Sequence, residues 1–342
     1  MAVDKLTPND SRFQHRYAEI GGHRWHYLDA APPGGGQTKG TVVLVHGWPD
    51  LSLAWRYQIP MLLSLGLRCI AIDCMGYGET GTSPDLNDFT FKTHADAIAG
   101  IARAIGAPRI ILGGHDWGGM VVYRTAQWHP QLVSHVFSVA TPYMGVLSGE
   151  FVGVEALVRG PLPQFGYQLQ LGSAEQVVEG VVQGEGRLRK FLSGVYGGKA
   201  RSGRLVLAPE TGVDLRVIEE DEVGMTPLLD REELDYYVAQ FGKAGLNGPC
   251  NWYRTRRANW EDDNRMPAES REGVKQPTLF IQALHDAILV PAMSKGMEER
   301  IPNLTRGEVR AGHWALWQTP QETNDVIKGW FEGVVFGGKS KM

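Results

Sequence analysis

A series of short, wholly apolar runs, each followed by a stretch of helical periodicity, constrains this chain more than any other feature. Thr41–Val45, Arg68–Asp73, Arg109–Gly113 and Ser134–Ala140 are such runs, and helical patterns follow at Leu53–Leu65, Phe91–Ile105 and Trp117–Gln127. Strands that are apolar throughout, rather than alternating, are buried on both faces. The pattern predicts an α/β fold: a mostly parallel central sheet with helices on both faces. A hairpin precedes it, Phe13–Ile20 and His23–Leu28 joined at Gly21-Gly22. From Pro142 to Asn264 the alternation stops, and glycines, polar turns and weak helical patches such as Leu229–Phe241 take over. It resumes with a strand at Pro277–Leu284, a helix at Pro291–Ile301, a strand at Arg306–Ala311 and a helix at Gln321–Phe336. The expected organisation is therefore a core of residues 1–141 and 265–342, with a mainly helical cap, 142–264, inserted after the sixth strand. Such an insertion sits over the carboxyl ends of the strands, where open parallel sheets place their active sites.

Composition excludes several function classes. Hydrophobic residues make up 43% of the 342, enough for a large core, and the formal charge of -4 comes with no basic stripe for nucleic acid. Three cysteines, Cys69, Cys74 and Cys250, have neither disulfide nor zinc-ligand spacing, so a reducing compartment fits. Met1 to Arg12 has no signal-peptide character, and no segment approaches the roughly 20 apolar residues of a membrane span. The expectation is a cytoplasmic protein with no membrane partner, with the sequon at Asn303 unused. The final Ser340-Lys341-Met342 differs from a peroxisomal address only in its last residue, and a frayed tail is the alternative. A monomer and a homodimer are both compatible with the sequence.

The strongest local signal is Gly113-Gly114-His115-Asp116-Trp117-Gly118-Gly119, between a predicted strand and a predicted helix. Gly114-x-Asp116-x-Gly118 has the form of a nucleophile elbow, with aspartate in the place of serine. The glycines make room for a turn too sharp for neighbouring Cβ atoms. The elbow projects its side chain at a helix N-terminus, which favours an ionised Asp116. An isolated aspartate there would be an ordinary N-cap, but the flanking glycines favour the elbow. A carboxylate nucleophile selects its substrates. It displaces a leaving group from saturated carbon and becomes an ester, which water must then cleave. Epoxides and alkyl halides fit; acyl esters do not.

Cleaving that ester needs a base. His313, in Ala311-Gly312-His313-Trp314, follows the last predicted strand, and Asp286 follows the strand before it. The order nucleophile, acid, histidine suits this architecture, with Asp286 orienting the imidazole. Backbone N–H groups of Trp117 and of Trp48, in His46-Gly47-Trp48-Pro49, are the expected oxyanion donors, and Trp48–Pro49 is a candidate cis peptide.

His46-Gly47-Trp48-Pro49, His115-Asp116-Trp117-Gly118-Gly119, Asn251-Trp252-Tyr253-Arg254 and Gly312-His313-Trp314 together resemble the soluble epoxide hydrolases of the α/β-hydrolase fold. The likeness is to the hydrolase domain of the mammalian enzyme and to its microbial and plant relatives, and it runs from about Phe13 to the last helix. The resemblance implies a cofactor-independent enzyme acting on small apolar epoxides. It also implies that Tyr167 and Tyr253 protonate the epoxide oxygen, a task that suits a phenol protonated at neutral pH. The mammalian enzyme's phosphatase domain has no counterpart, so no phosphatase activity is expected. Trp48 stands where the family often has phenylalanine.

Other signals carry less. Gly76-x-Gly78-x-x-Gly81 matches a dinucleotide fingerprint, but a loop follows where a helix is required. His23-x-x-His26 lies on the hairpin without an acidic or cysteine neighbour in sequence, so no metal is expected. A haloalkane dehalogenase is the alternative function. It would leave Tyr167 and Tyr253 without a task and usually has asparagine at the Trp48 position. A ligand carrier on the same fold would not need nucleophile, base and acid together.

Overall fold

The structure, a computed structural model, describes residues 3–34 and 38–337. Ser340-Lys341-Met342 therefore lies outside the described residues. In chain order the strands are β1 Gln14–Ile20, β2 His23–Ala30, β3 Thr41–Val45, β4 Arg68–Ile72, β5 Ile110–His115, β6 Val133–Val139, β7 Leu207–Ala208, β8 Gly212–Val213, β9 Thr278–Ala283 and β10 Leu304–Val309. Eight of them form one sheet in the order β1-β2-β4-β3-β5-β6-β9-β10. The hairpin β1–β2 joins β4 antiparallel, and every pairing from β4 to β10 is parallel. The fold is an α/β-hydrolase fold, and its parallel strands end on one edge.

The chain separates into two compact units. The first gathers the residues up to Cys74, then Phe91–Val146, then everything from Arg265. It holds the eight-stranded sheet, whose central strands β3 and β5 are fully buried, as apolar runs require. Helices Phe91–Ala104 and Trp117–Trp128 follow the pattern read from the sequence. The long stretch Leu53–Leu65 instead resolves into a 3₁₀ turn, Ser52–Trp55, and a helix, Gln58–Ser64.

One expected helix is absent. Pro291–Ile301 forms two 3₁₀ turns, Pro291–Ser294 and Met297–Glu299, interrupted at Gly296, whose φ of 78° ends any right-handed helix. Sequence periodicity does not report such a break. The following strand begins two residues earlier than expected, at Leu304.

The second unit comprises Met75–Thr90 and Leu147–Asn264. Its helices are short, among them Tyr167–Leu171, Val177–Val181, Gly184–Val195, Arg231–Gly242 and Asn247–Asn251. The helix expected from Leu229 begins at Arg231 because Asp230 and Glu233 form a reciprocal cap: Glu233 N–H donates to Asp230 at 3.0 Å and Asp230 N–H to Glu233 at 2.8 Å. The Gly76–Gly81 motif belongs to this unit. A Cβ at Gly248 would lie 2.5 Å from Gly76 Cα, so two backbones touch where a dinucleotide fingerprint would need an open cradle.

This contact predicts opposite outcomes for two alanines. Gly248→Ala forces a shift and destabilises by about 1–3 kcal/mol. Gly329→Ala, in helix Pro320–Trp330 with open space around its Cβ, stabilises by about 0.5–1 kcal/mol. Thermal unfolding of the two variants reads the sign.

Candidate active site

The edge where the parallel strands end carries the candidate site residues of the first unit. β5 ends at His115 and the next residue, Asp116, has φ 52° and ψ −125° before helix Trp117–Trp128 begins. A non-glycine residue in that region is strained and persists only when its surroundings dictate it. Here they do. The Asp116 carbonyl accepts the Thr141 hydroxyl at 2.6 Å and the Gly119 N–H at 2.9 Å. The flanking glycines are forced by contact: a Cβ at Gly118 would meet Val45 O at 2.1 Å, and one at Gly114 would meet Gly118 O at 2.3 Å.

The Asp116 side chain makes no N-cap bond to the helix beyond its first residue. One oxygen, Oδ1, accepts the Trp48 N–H at 2.7 Å, and the Trp117 N–H also bonds the carboxylate. Gly47 is obligatory here, since a Cβ would stand 2.3 Å from Asp116 Cβ. The loop after β3 is tied down as well: His46 Nε2 accepts the Cys74 N–H at 3.0 Å, and the Trp48–Pro49 peptide is cis.

The other oxygen, Oδ2, faces His313 Nε2 at 3.6 Å. His313 Nδ1 donates to Asp286 Oδ2 at 2.9 Å, while Asp286 Oδ1 accepts the N–H groups of Ile288 and Leu289 at 2.8 and 3.0 Å. Asp116, His313 and Asp286 thus form one chain of contacts at the ends of β5, β10 and β9, with Trp48 and Trp117 donating to its first member. A residue that the sequence analysis passed over completes the arrangement. His115 Nε2 donates to the His313 carbonyl at 2.8 Å and positions the loop that carries the imidazole. Its place inside the elbow motif was the available signal.

Charge is shaped by burial and pairing. Burial pushes the Asp116 carboxyl above its usual value, opposed by the His313 charge and the two N–H donors. For Asp286 the burial penalty is outweighed by the His313 charge and hydrogen bond, and its pKa falls to about 2. Burial also disfavours a charged His313, but Asp286, and then Asp116, raise it to about 9. His115 is pushed down to about 3 by burial and by the neighbouring His313, so it stays neutral and keeps its proton on Nε2.

In the second unit the structure brings Tyr167 and Tyr253 together. Their rings meet edge to face, 5.6 Å between centroids. Tyr167 opens helix Tyr167–Leu171 and is buried; Tyr253 is half-buried in the turn Trp252–Arg254. The backbone N–H of His285, a residue given no role from sequence, donates to the Ala311 carbonyl at 2.9 Å. His26 does find an acidic partner, Asp73, at 2.7 Å. The pair is not visible in the sequence, because the two lie far apart in the chain and meet only through the pairing of β2 with β4.

The electrostatic arrangement has a measurable consequence. Because two carboxylates stabilise the imidazolium, the His313 pKa in the free protein lies well above 6.5 and drops in both Asp116→Asn and Asp286→Asn, more in the latter. NMR titration of the ring reads this directly; a value unmoved by Asp286→Asn contradicts it.

A sequence profile for the alpha/beta hydrolase fold matches residues 40–320. An epoxide hydrolase of Neurospora crassa is 38% identical over 341 residues, 96% of this chain and 98% of that one. Bifunctional epoxide hydrolase 2 of Rattus norvegicus is 33% identical over 334 residues; the match takes in 95% of this chain but 56% of that protein. Among solved structures, an epoxide hydrolase from an endophytic Streptomyces superposes with a TM-score of 0.81 at 25% identity, over 96% of this chain and 97% of that one. No helix among the described residues is long and apolar enough to cross a membrane. The chain belongs to the α/β-hydrolase fold family and, within it, to the epoxide hydrolases.

Proposed function

We propose that this protein converts small apolar epoxides to vicinal diols in two covalent steps without a cofactor. One observation carries the reading: a carboxylate, not a hydroxyl, occupies the elbow, with one oxygen held at 2.7 Å by Trp48 N–H and the other facing His313 at 3.6 Å. In the first step Asp116 Oδ2 attacks a ring carbon. The carbon–oxygen bond breaks, and the departing oxygen takes a proton from Tyr167 or Tyr253. The product is an ester between Asp116 and the substrate.

In the second step His313 Nε2 takes a proton from water, and the hydroxide adds to the Asp116 carbonyl carbon. The oxyanion that forms grows on Oδ1, which accepts the Trp48 N–H, and the Trp117 N–H adds to its stabilisation; donors of this kind contribute about 10²–10³ in rate. Collapse breaks the bond from the Asp116 carbonyl carbon to Oδ2. The departing alkoxide takes the proton of the new carboxyl and leaves as the diol, and the carboxylate is restored with an oxygen from water. The proton held on His313 returns by way of solvent to the phenolate left by the first step. Ester formation removes the negative charge of Asp116, one of the influences that hold His313 protonated, and so favours the neutral base when it is needed. Asp286 fixes the ring so that Nε2 presents its lone pair.

Support for an epoxide over a haloalkane comes from the phenol pair and from the relatives, which are named epoxide hydrolases. In this reading the second unit supplies the acid. Three buried, free cysteines suit a cytoplasmic setting.

His313→Gln blocks only the second step, so the protein accumulates an adduct on Asp116 whose mass equals that of the epoxide added; Asp116→Ala forms neither adduct nor diol. Tyr167→Phe or Tyr253→Phe alone slows ring opening by about 10–10²-fold, and the double change nearly stops it. Intact mass spectrometry and single-turnover kinetics check both. A double variant opening epoxides at the normal rate removes the phenols from the mechanism.

A further inference from the structure

We infer that Arg254, through its buried pair with Glu179, is the positioning residue that sets Tyr253 against Tyr167 for proton donation. The inference rests on the role of the two phenols proposed above. Its support is local to the second unit. The guanidinium reaches three separate segments at once. Nη2 donates to Glu179 Oε1 at 2.6 Å and to the Ser173 carbonyl at 2.8 Å, Nε donates to the same carbonyl at 3.2 Å, and Nη1 donates to Asn251 Oδ1 at 2.9 Å. Both side chains are nearly dry, 10% and 8% exposed.

Those three segments bear on the phenols. Ser173 closes the turn after helix Tyr167–Leu171, so Arg254 ties the helix that carries one phenol to the turn that carries the other. The two backbones are already in close approach: a Cβ at Gly172 would stand 2.9 Å from the Tyr253 carbonyl. Glu179, in helix Val177–Val181, holds the same Nη2 that reaches Ser173. Trp252 anchors the same turn from another direction, its indole N–H donating to Met75 O at 2.9 Å. Tyr253 therefore has an anchored residue on each side.

A surface ion pair would need no such explanation, but a buried one is poor evidence for stability and better evidence for geometry. Arginine is required by the pattern. A planar fork can serve a carboxylate, a carbonyl and an amide oxygen together; a lysine ammonium on a flexible stem cannot hold all three in place. Acid catalysis is steep in position, since the donor must come within hydrogen-bond reach of the departing oxygen and a displacement of about 1 Å can cost about 10²-fold.

The test isolates ring opening by working in the His313→Gln protein, which stops at the ester. Styrene oxide serves as the probe, and rapid quench with mass spectrometry follows the adduct on Asp116. Adding Arg254→Lys slows adduct formation by about 10-fold or more, while in the protein with His313 intact the rate constant for ester hydrolysis stays within about twofold. A merely structural role would lower the amount of active protein, the amplitude, and leave the ring-opening rate constant alone. If Arg254→Lys does not fold, Arg254→Met with Glu179→Leu removes both charges and leaves no buried ion unpaired. This pair also slows ring opening. A normal ring-opening rate constant in the folded variant, or equal loss in both steps, overturns the inference. Absence of any adduct in His313→Gln with Arg254 intact defeats the covalent reading itself.

Discussion

The carboxylate of Asp116 is held between a backbone N–H and an imidazole, and most of the first unit is arranged around that contact. The residue sits in a backbone conformation that side chains avoid, so the fold must press it there. It does so by stacking the elbow on the loop after β3, with glycines at 47, 114 and 118 because any Cβ would collide. The same crowding brings the Trp48 N–H to Oδ1. Strain and anion binding are two results of one packing arrangement, since loosening the turn would also withdraw the donor.

Three buried ionisable groups share this small volume, and their order matters. Asp286 accepts two backbone N–H bonds besides the imidazole, so it remains ionised at the expense of its neighbour. The His313 pKa is raised chiefly by Asp286 and further by Asp116, so neutralising Asp116 removes one of the influences that favour its charged form. In the proposed mechanism, esterifying Asp116 would be both the first chemical step and the signal for the second. His115, kept neutral by burial, adds a hydrogen bond to this group without adding a charge.

The parts of this arrangement legible in the sequence were those with local rules. Glycines around Asp116 announced the elbow, and apolar runs announced parallel strands whose shared edge brings Asp286 and His313 to it. What stayed hidden depended on contacts between distant segments. The expected helix Pro291–Ile301 fails at Gly296, whose positive φ no periodicity reports. Asp73 joins His26 only because β4 pairs with β2, and Arg254 joins Ser173 and Glu179 only once the turns of the second unit have folded. Tyr253 stood out beside Trp252 in sequence, but Tyr167 was one of 11 tyrosines and took its role from resemblance. The structure adds that the two rings touch.

One turnover in ¹⁸O-labelled water tests the central claim most directly. With enzyme in excess over an epoxide, the diol should carry no label, because its new oxygen comes from Asp116, and the label should appear in a peptide containing residue 116. A labelled diol beside an unlabelled Asp116 would mean that water attacks the epoxide itself and that the carboxylate forms no bond to carbon.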